Sequence, residues 1–229
     1  MTSSTISIAS RIWEVRDGIE RACARVGRPP DAVTLIAISK TQPAEAIIEA
    51  AAAGIVDFGE NRIQEALPKI PILQSSSGGP VRFHFVGHLQ KNKAALAAAN
   101  FESVHSVDSP RLVQALGRAA DDESSLEVFL QVNVSGEESK FGVAPAELPQ
   151  LVEETTGLRS LSVRGLMTIP PPAVETAELR RIFSALRRLG EQHSLECLSM
   201  GMTEDFEVAI EEGATHVRVG RAIFGERQP

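Results

Sequence analysis

The sequence predicts a single α/β domain over residues 1–229, a (β/α)8 TIM-type barrel preceded by an extra N-terminal helix. Three observations predict it. Short β-branched runs alternate with alanine-rich stretches of helical period, and the alternation yields eight strand candidates with short connections between them. Strand, helix, strand in succession means parallel pairing, because a parallel neighbour needs a crossover rather than a tight turn. No G-x-G-x-x-G follows the first apolar run, which weighs against the rival doubly wound open sheet. At 229 residues, 43% hydrophobic and 23% charged, the chain is ordinary for one globular domain and long enough to bury such a core.

Taken in order, MTSSTISIASRIWEVRDGIE reads as a short tail and then an amphipathic helix with Ile12, Val15, Ile19 and Cys23 on one face. It lacks the charged, apolar and small-residue blocks of a signal peptide. The expected strands are VTLIAIS (33–39), IVDFGE (55–60), VRFHFVG (81–87) and SVHSVD (103–108). They continue with LEVFLQVN (126–133), SVRGLMTI (162–169), ECLSM (196–200) and THVRVG (215–220). Between them, Pro43 opens and Gly54 stops one helix, and Ser109 with Pro110 supplies the N-cap and first position of another. VETAELRRIFSALRRLG carries arginines in its last turns, with Gly190 as the expected stop. QSSSGGP (74–80) reads as a surface loop.

Bulk properties exclude several classes. A net charge of −7 argues against a general nucleic-acid or acidic-membrane binder. Cys23 and Cys197 are far apart and form no disulfide framework or metal spacing, so reduced thiols and a cytoplasmic location are expected. No run approaches the roughly 18 apolar residues of a membrane span. With no second domain expected, the chain reads as a monomer.

In such a barrel the functional face lies at the carboxyl ends of the strands, and the sequence concentrates its chemistry there. Lys40 follows the first strand, Asn61 the second and His88 the third. Met167 and Thr168 end the sixth, Ser199 the seventh, and Arg218 to Arg221 close the eighth. Lys40 is either a lysine leaving a strand for water or an amine placed for Schiff-base chemistry, which desolvation and nearby cations favour by lowering its pKa. LSMGMTEDF and THVRVGRAIFG, with Ser199, Gly201, Gly220 and Arg221, offer flexible backbone and free N–H groups of the kind that bind phosphate after strands seven and eight. Arg218 alternates with Val217 and Val219 and needs a partner, for which a barrel carboxylate is the structural option. Asn61 fits an N-cap with Gln64 three residues on. His84 alternates with phenylalanines and fits packing inside the barrel.

These stretches resemble the pyridoxal phosphate homeostasis proteins, a family related to the barrel domain of bacterial alanine racemase. IAISKTQP, DFGENRIQEALPK, FHFVGHLQKNK, LQVNVSGEESKFG, GLMTI and SMGMTEDFEVAIEEGATHVRVGRAIFG follow the family's order. The resemblance implies pyridoxal 5′-phosphate carried as an internal aldimine on Lys40. It implies phosphate held by Ser199 and by backbone around Met200, Gly201, Gly220 and Arg221, with Arg218 facing the pyridine nitrogen. Asn61, His84 and Met167 fall in the same motifs and are expected to line the pocket. Partners would be the cofactor itself and apo pyridoxal enzymes that receive it.

The resemblance also limits the activity. A guanidinium against the pyridine nitrogen disfavours its protonation and weakens the ring as an electron sink. The racemase pattern compensates with a second base, a tyrosine from a further C-terminal domain, and this sequence has no tyrosine. A carrier with no catalytic residues and no metal is the expectation. The alternative is an enzyme on the same amine: a weak racemase or transaminase, or a lysine aldolase with Glu60 as its acid/base group.

Overall fold

A computed structural model describes residues 6–121 and 125–225, and within them all eight expected strands close into one parallel barrel. The strands are β1 (Thr34–Ile38), β2 (Asp57–Glu60), β3 (Arg82–Phe85) and β4 (Ser103–Val107), then β5 (Leu126–Gln131), β6 (Leu161–Met167), β7 (Cys197–Ser199) and β8 (His216–Val219). Each is shorter than the apolar run that announces it, because the run's ends serve the connections. The longer helices are α1 (Ile8–Arg25), α2 (Ala44–Ala52), α3 (Ile63–Ala66), α4 (Lys69–Ser76), α5 (Ala94–Asn100) and α6 (Pro110–Ala119). They continue as α7 (Leu148–Thr156), α8 (Thr176–Gln192), α9 (Phe206–Glu211) and α10 (Arg221–Phe224).

Residues paired in register share a face. Ile36, Asp57, His84, Ser103, Phe129, Gly165, Ser199, His216 and Arg218 follow one another around the ring and face inward. The alternate positions, among them Phe58, Phe85, Val104, Leu130, Leu166, Leu198 and Val217, are buried in the hydrophobic layer under the helices. The apolar core therefore lies between sheet and helices, and the inside of the barrel is unusually polar.

α1 packs against α2, α9 and α10, so it completes the helical ring where α10 has only four residues. Its buried face is the expected one: Ile12, Val15, Ile19 and Cys23, with Ala22. Burial of each large side chain contributes about 2 kcal/mol.

Two local expectations are corrected. Gly190 does not stop α8: the helix runs on to Gln192, and Ser194 takes the left-handed conformation instead (φ 56°). Gly190 is there for packing, since a Cβ on it would lie 2.7 Å from the Leu195 carbonyl oxygen. Gly190→Ala is expected to lower unfolding stability by about 2 kcal/mol through overpacking, read as a reduced urea midpoint. The loop expected at 74–80 begins only after Ser76, because α4 absorbs its first residues. Cys23 and Cys197 are both free. Among the described residues no helix is long and apolar enough to cross a membrane, and no cluster of acidic, His or Cys side chains could hold a metal.

Candidate functional site

Parallel strands bring Lys40, Asn61, Met167, Ser199 and Gly220 to one end of the barrel. Lys40 is partly buried at the exit of β1. The next residue, Thr41, is β-branched and yet left-handed (φ 64°), a conformation that costs about 1–3 kcal/mol. The chain turns sharply there, so Lys40 stays at the rim of the mouth instead of continuing outward along the strand.

The strand end is clamped from behind. The buried Ser39 donates its hydroxyl to Glu60 Oε1 (2.8 Å) and its backbone N–H to Gly59 (3.0 Å). Lys69 Nζ bridges Glu60 Oε1 (2.8 Å) and the Ser39 carbonyl (3.0 Å). Glu60 thus faces the helices, opposite to Asp57 and Gly59, with Oε1 held in this clamp and Oε2 buried without a hydrogen-bond partner among the described residues. That placement, on the side of the sheet away from the barrel interior, weighs against Glu60 as acid/base partner to Lys40.

Arg218 is buried, 4% exposed. Its Nη1 donates to Ser199 Oγ (2.8 Å) and its Nη2 to the Thr168 carbonyl (3.0 Å). Among the described residues no carboxylate lies within ion-pair distance, so the barrel carboxylate considered for it is not there. Burial lowers its pKa to about 10, with Asp205 pulling the other way, and it remains charged at neutral pH. A buried cation served only by neutral acceptors is costly, and a five-donor guanidinium keeps N–H groups for a further acceptor. An acceptor atom brought by a ligand fits that need.

Ser199, fully buried, lies between Arg218 and His105, 2.8 Å from Nδ1 of the latter. Met167 is paired in register with it and faces the same interior. Met200 takes the opposite face of the strand and belongs to the hydrophobic layer, so its side chain is absent from the mouth. Gly201 is left-handed (φ 93°), and a Cβ there would lie 2.6 Å from that of Ala209: packing on α9 already requires the glycine. Gly220 has no such backbone demand, and a Cβ there would make ordinary contact with Ile38, 3.4 Å from its Cβ. The Arg221 side chain pairs with Glu204 (2.8 Å) at the surface.

Asn61 does not cap α3. The helix starts at Ile63 with Arg62 in the cap position and no side-chain cap bond, because the chain needs one more residue to leave the barrel. Asn61 follows β2 directly at the same end of the barrel and is partly buried. His84 is buried a layer deeper, bonded to Asp57 Oδ1 through Nε2 (2.8 Å) and to Ser103 Oγ through Nδ1 (2.7 Å). His88 lies outside this interior, half exposed, stacked on Phe141 with ring centroids 4.0 Å apart.

Sequence reasoning passed over Asp57, Ser103 and His105. Arg82 grips both oxygens of Asp57 (2.8 and 2.9 Å), and Ser103 Oγ joins His84 to His105 Nε2 (2.9 Å). Burial raises the Asp57 pKa, but hydrogen bonds from His84 and Arg82 outweigh it and hold the carboxyl below its ordinary value. Burial pushes His105 well below the usual imidazole range, helped by His84, His216 and Arg218, and it brings His216 down to about 4. Only part of the signal was present: Arg82 and His84 alternate with Phe83 and Phe85, whereas the polar residues of DFGE and SVHSVD keep no strict two-residue period.

Comparison with known proteins identifies the family. The model of the alanine racemase N-terminal domain matches residues 15–228. The pyridoxal phosphate homeostasis protein of Pseudomonas aeruginosa is 47% identical over 224 residues, covering 96% of each chain. That of Escherichia coli K12 is 41% identical over 229 residues, covering 96% of this chain and 97% of its own. PipY of Synechococcus elongatus, 39% identical, superposes with a TM-score of 0.84 without pyridoxal phosphate and 0.80 with it bound; each match covers 96% of this chain and all of PipY. Alanine racemase of Corynebacterium glutamicum shares the fold at 18% identity and a TM-score of 0.66, with 62% of its length matched. The chain belongs to the alanine racemase N-terminal domain family and, within it, to the pyridoxal phosphate homeostasis proteins.

Proposed function

We propose that this chain binds pyridoxal 5′-phosphate at the barrel mouth through a Schiff base with Lys40 and keeps it available without turning over amino acids. The observation that carries the reading is Arg218, a buried guanidinium with no carboxylate within ion-pair distance among the described residues and with N–H groups left for a ligand acceptor. The pyridine nitrogen is such an acceptor. When bound, the cofactor supplies an aldehyde for an amine to condense with and a ring that can draw off electrons.

The chain's own residues then divide the work. Lys40 offers the amine from a turn strained at Thr41, and the Ser39–Glu60–Lys69 clamp holds that turn in place. Backbone N–H groups around Met200, Gly201, Gly220 and Arg221 take the phosphate. Ser199, expected on the phosphate, has its hydroxyl engaged by Arg218 and His105 and is instead assigned to support the ring end from below. Asn61 and Met167 line the wall, and His84 lies beneath it.

Arg218 also argues for restraint in the chemistry. Its charge against the ring nitrogen keeps that nitrogen unprotonated and the electron sink weak. No tyrosine occurs in the sequence to act as the second base of a racemase. The aldolase alternative loses its proton donor with Glu60 turned away. We assign the chain to a monomeric cytoplasmic carrier that exchanges the cofactor with apo pyridoxal enzymes. Equilibrium dialysis is expected to give one pyridoxal phosphate per chain, and incubation of the loaded protein with L- or D-alanine no multiple-turnover product. Rapid catalytic interconversion of alanine by the pure protein would overturn the carrier assignment.

A further inference from the structure

A chain of hydrogen bonds crosses the barrel interior beneath the mouth. From Arg218 it passes through Ser199, His105, Ser103 and His84 to Asp57, with every step between 2.7 and 2.9 Å. Its ends fix its direction. A guanidinium can only donate, and an ionised carboxylate can only accept. Asp57 already receives two N–H bonds from Arg82, which keep it ionised. Between the ends, each hydroxyl and each neutral imidazole has one proton to give, so the bonds fill in a single sense, with which the longer His105 Nε2–His84 Nδ1 contact (3.4 Å) is compatible. His84 donates Nε2–H to Asp57 and accepts from Ser103. Ser103 accepts from His105 Nε2–H. His105 Nδ1 accepts the Ser199 proton, and the Ser199 oxygen is left to accept from Arg218.

His105 is the member that keeps this order. It is fully buried, stacked on Phe129 with centroids 4.1 Å apart and edge-on to His84 at 5.3 Å. Those rings fix its plane, and burial, with the Arg218 guanidinium nearby, keeps it neutral. A second proton on its ring would donate to Ser199 and release the serine proton elsewhere.

We infer that His105 is a positioning residue: as the neutral Nε2–H tautomer it takes the Ser199 hydroxyl proton and so makes Ser199 the acceptor that seats the Arg218 guanidinium below the barrel mouth. It acts through Ser199 and touches no ligand. The inference deepens the cofactor reading and rests on it where Arg218 is taken to meet the pyridine nitrogen.

Two measurements test it. In ligand-free protein labelled with 15N at histidine, nuclear magnetic resonance is expected to show His105 protonated on Nε2 alone, with Nδ1 a hydrogen-bonded acceptor. A proton on Nδ1 at neutral pH overturns the inference, whatever the ligand. Binding is then compared for pyridoxal phosphate and its 1-deaza analogue, which has carbon in place of the ring nitrogen. His105→Leu is expected to weaken pyridoxal phosphate about tenfold and to spare the analogue, the size of a lost hydrogen bond to a charged group. His105→Asn, whose amide oxygen accepts where Nδ1 did, is expected to recover most of that loss. Equal weakening of both ligands assigns His105 to packing and overturns the inference. Should His105→Leu not fold, Ser199→Ala carries the same comparison. A wild-type chain that binds neither ligand defeats the cofactor reading, while the tautomer result still decides the positioning claim.

Discussion

Lys40→Ala is expected to remove the visible absorption band of bound pyridoxal phosphate and to weaken its retention by at least about 100-fold, or about 2.7 kcal/mol. The covalent link is what the substitution deletes; the phosphate and ring contacts stay. Stability is expected to move by less than about 1 kcal/mol, since Lys40 is only partly buried at a strand exit and packs no core. Titration followed by absorbance and by dialysis separates the two effects. Lys69→Ala provides the contrast. It breaks the clamp on Glu60 and Ser39 without touching the amine, so the band persists while stability falls.

Asp57→Ala is expected to lower unfolding stability by about 3 kcal/mol at neutral pH, because it strips the anion from a buried, hydrogen-bonded pair. Two groups are left behind. Arg82 is half exposed and can turn to water, at little cost. His84 is buried, and its Nε2–H loses its acceptor, which accounts for most of the loss. The pH dependence has a definite sign. The Asp57 pKa is lower in the folded chain than its ordinary 3.8, so its contribution is complete above that value and disappears as pH falls through the folded-state pKa. Urea unfolding of the wild type and Asp57→Ala is therefore expected to differ most near neutrality and to converge in strong acid. The same substitution removes the terminal acceptor of the chain that ends on Arg218, so it is expected to weaken cofactor binding at a distance.

Much of this fold is legible in the sequence. Eight β-branched runs, the helix signals at Pro110 and the apolar stripe of Ile12, Val15 and Ile19 are local, and local physics decides them. Lys40 and Gly220 are legible because parallel order alone sends strand ends to one face. What escaped depends on contacts between distant segments. Gly190 looks like a stop, yet it is set by the Leu195 carbonyl that approaches it. Asn61 has the letters of a cap, but the exit path from β2 places Arg62 there. Glu60 looks like a neighbour of Lys40 and points to the other side of the sheet, where Lys69 waits. His105 gave no motif at all. Its role follows from meeting Ser199, 94 positions away, across a closed barrel.

The most direct test of the central claim is chemical trapping. The protein is mixed with equimolar pyridoxal phosphate, reduced with borohydride, digested and weighed by mass spectrometry. The account predicts one phosphopyridoxyl group, on the peptide containing Lys40. Label spread over other lysines such as Lys91, Lys93 and Lys140, with Lys40 unmodified, would contradict it.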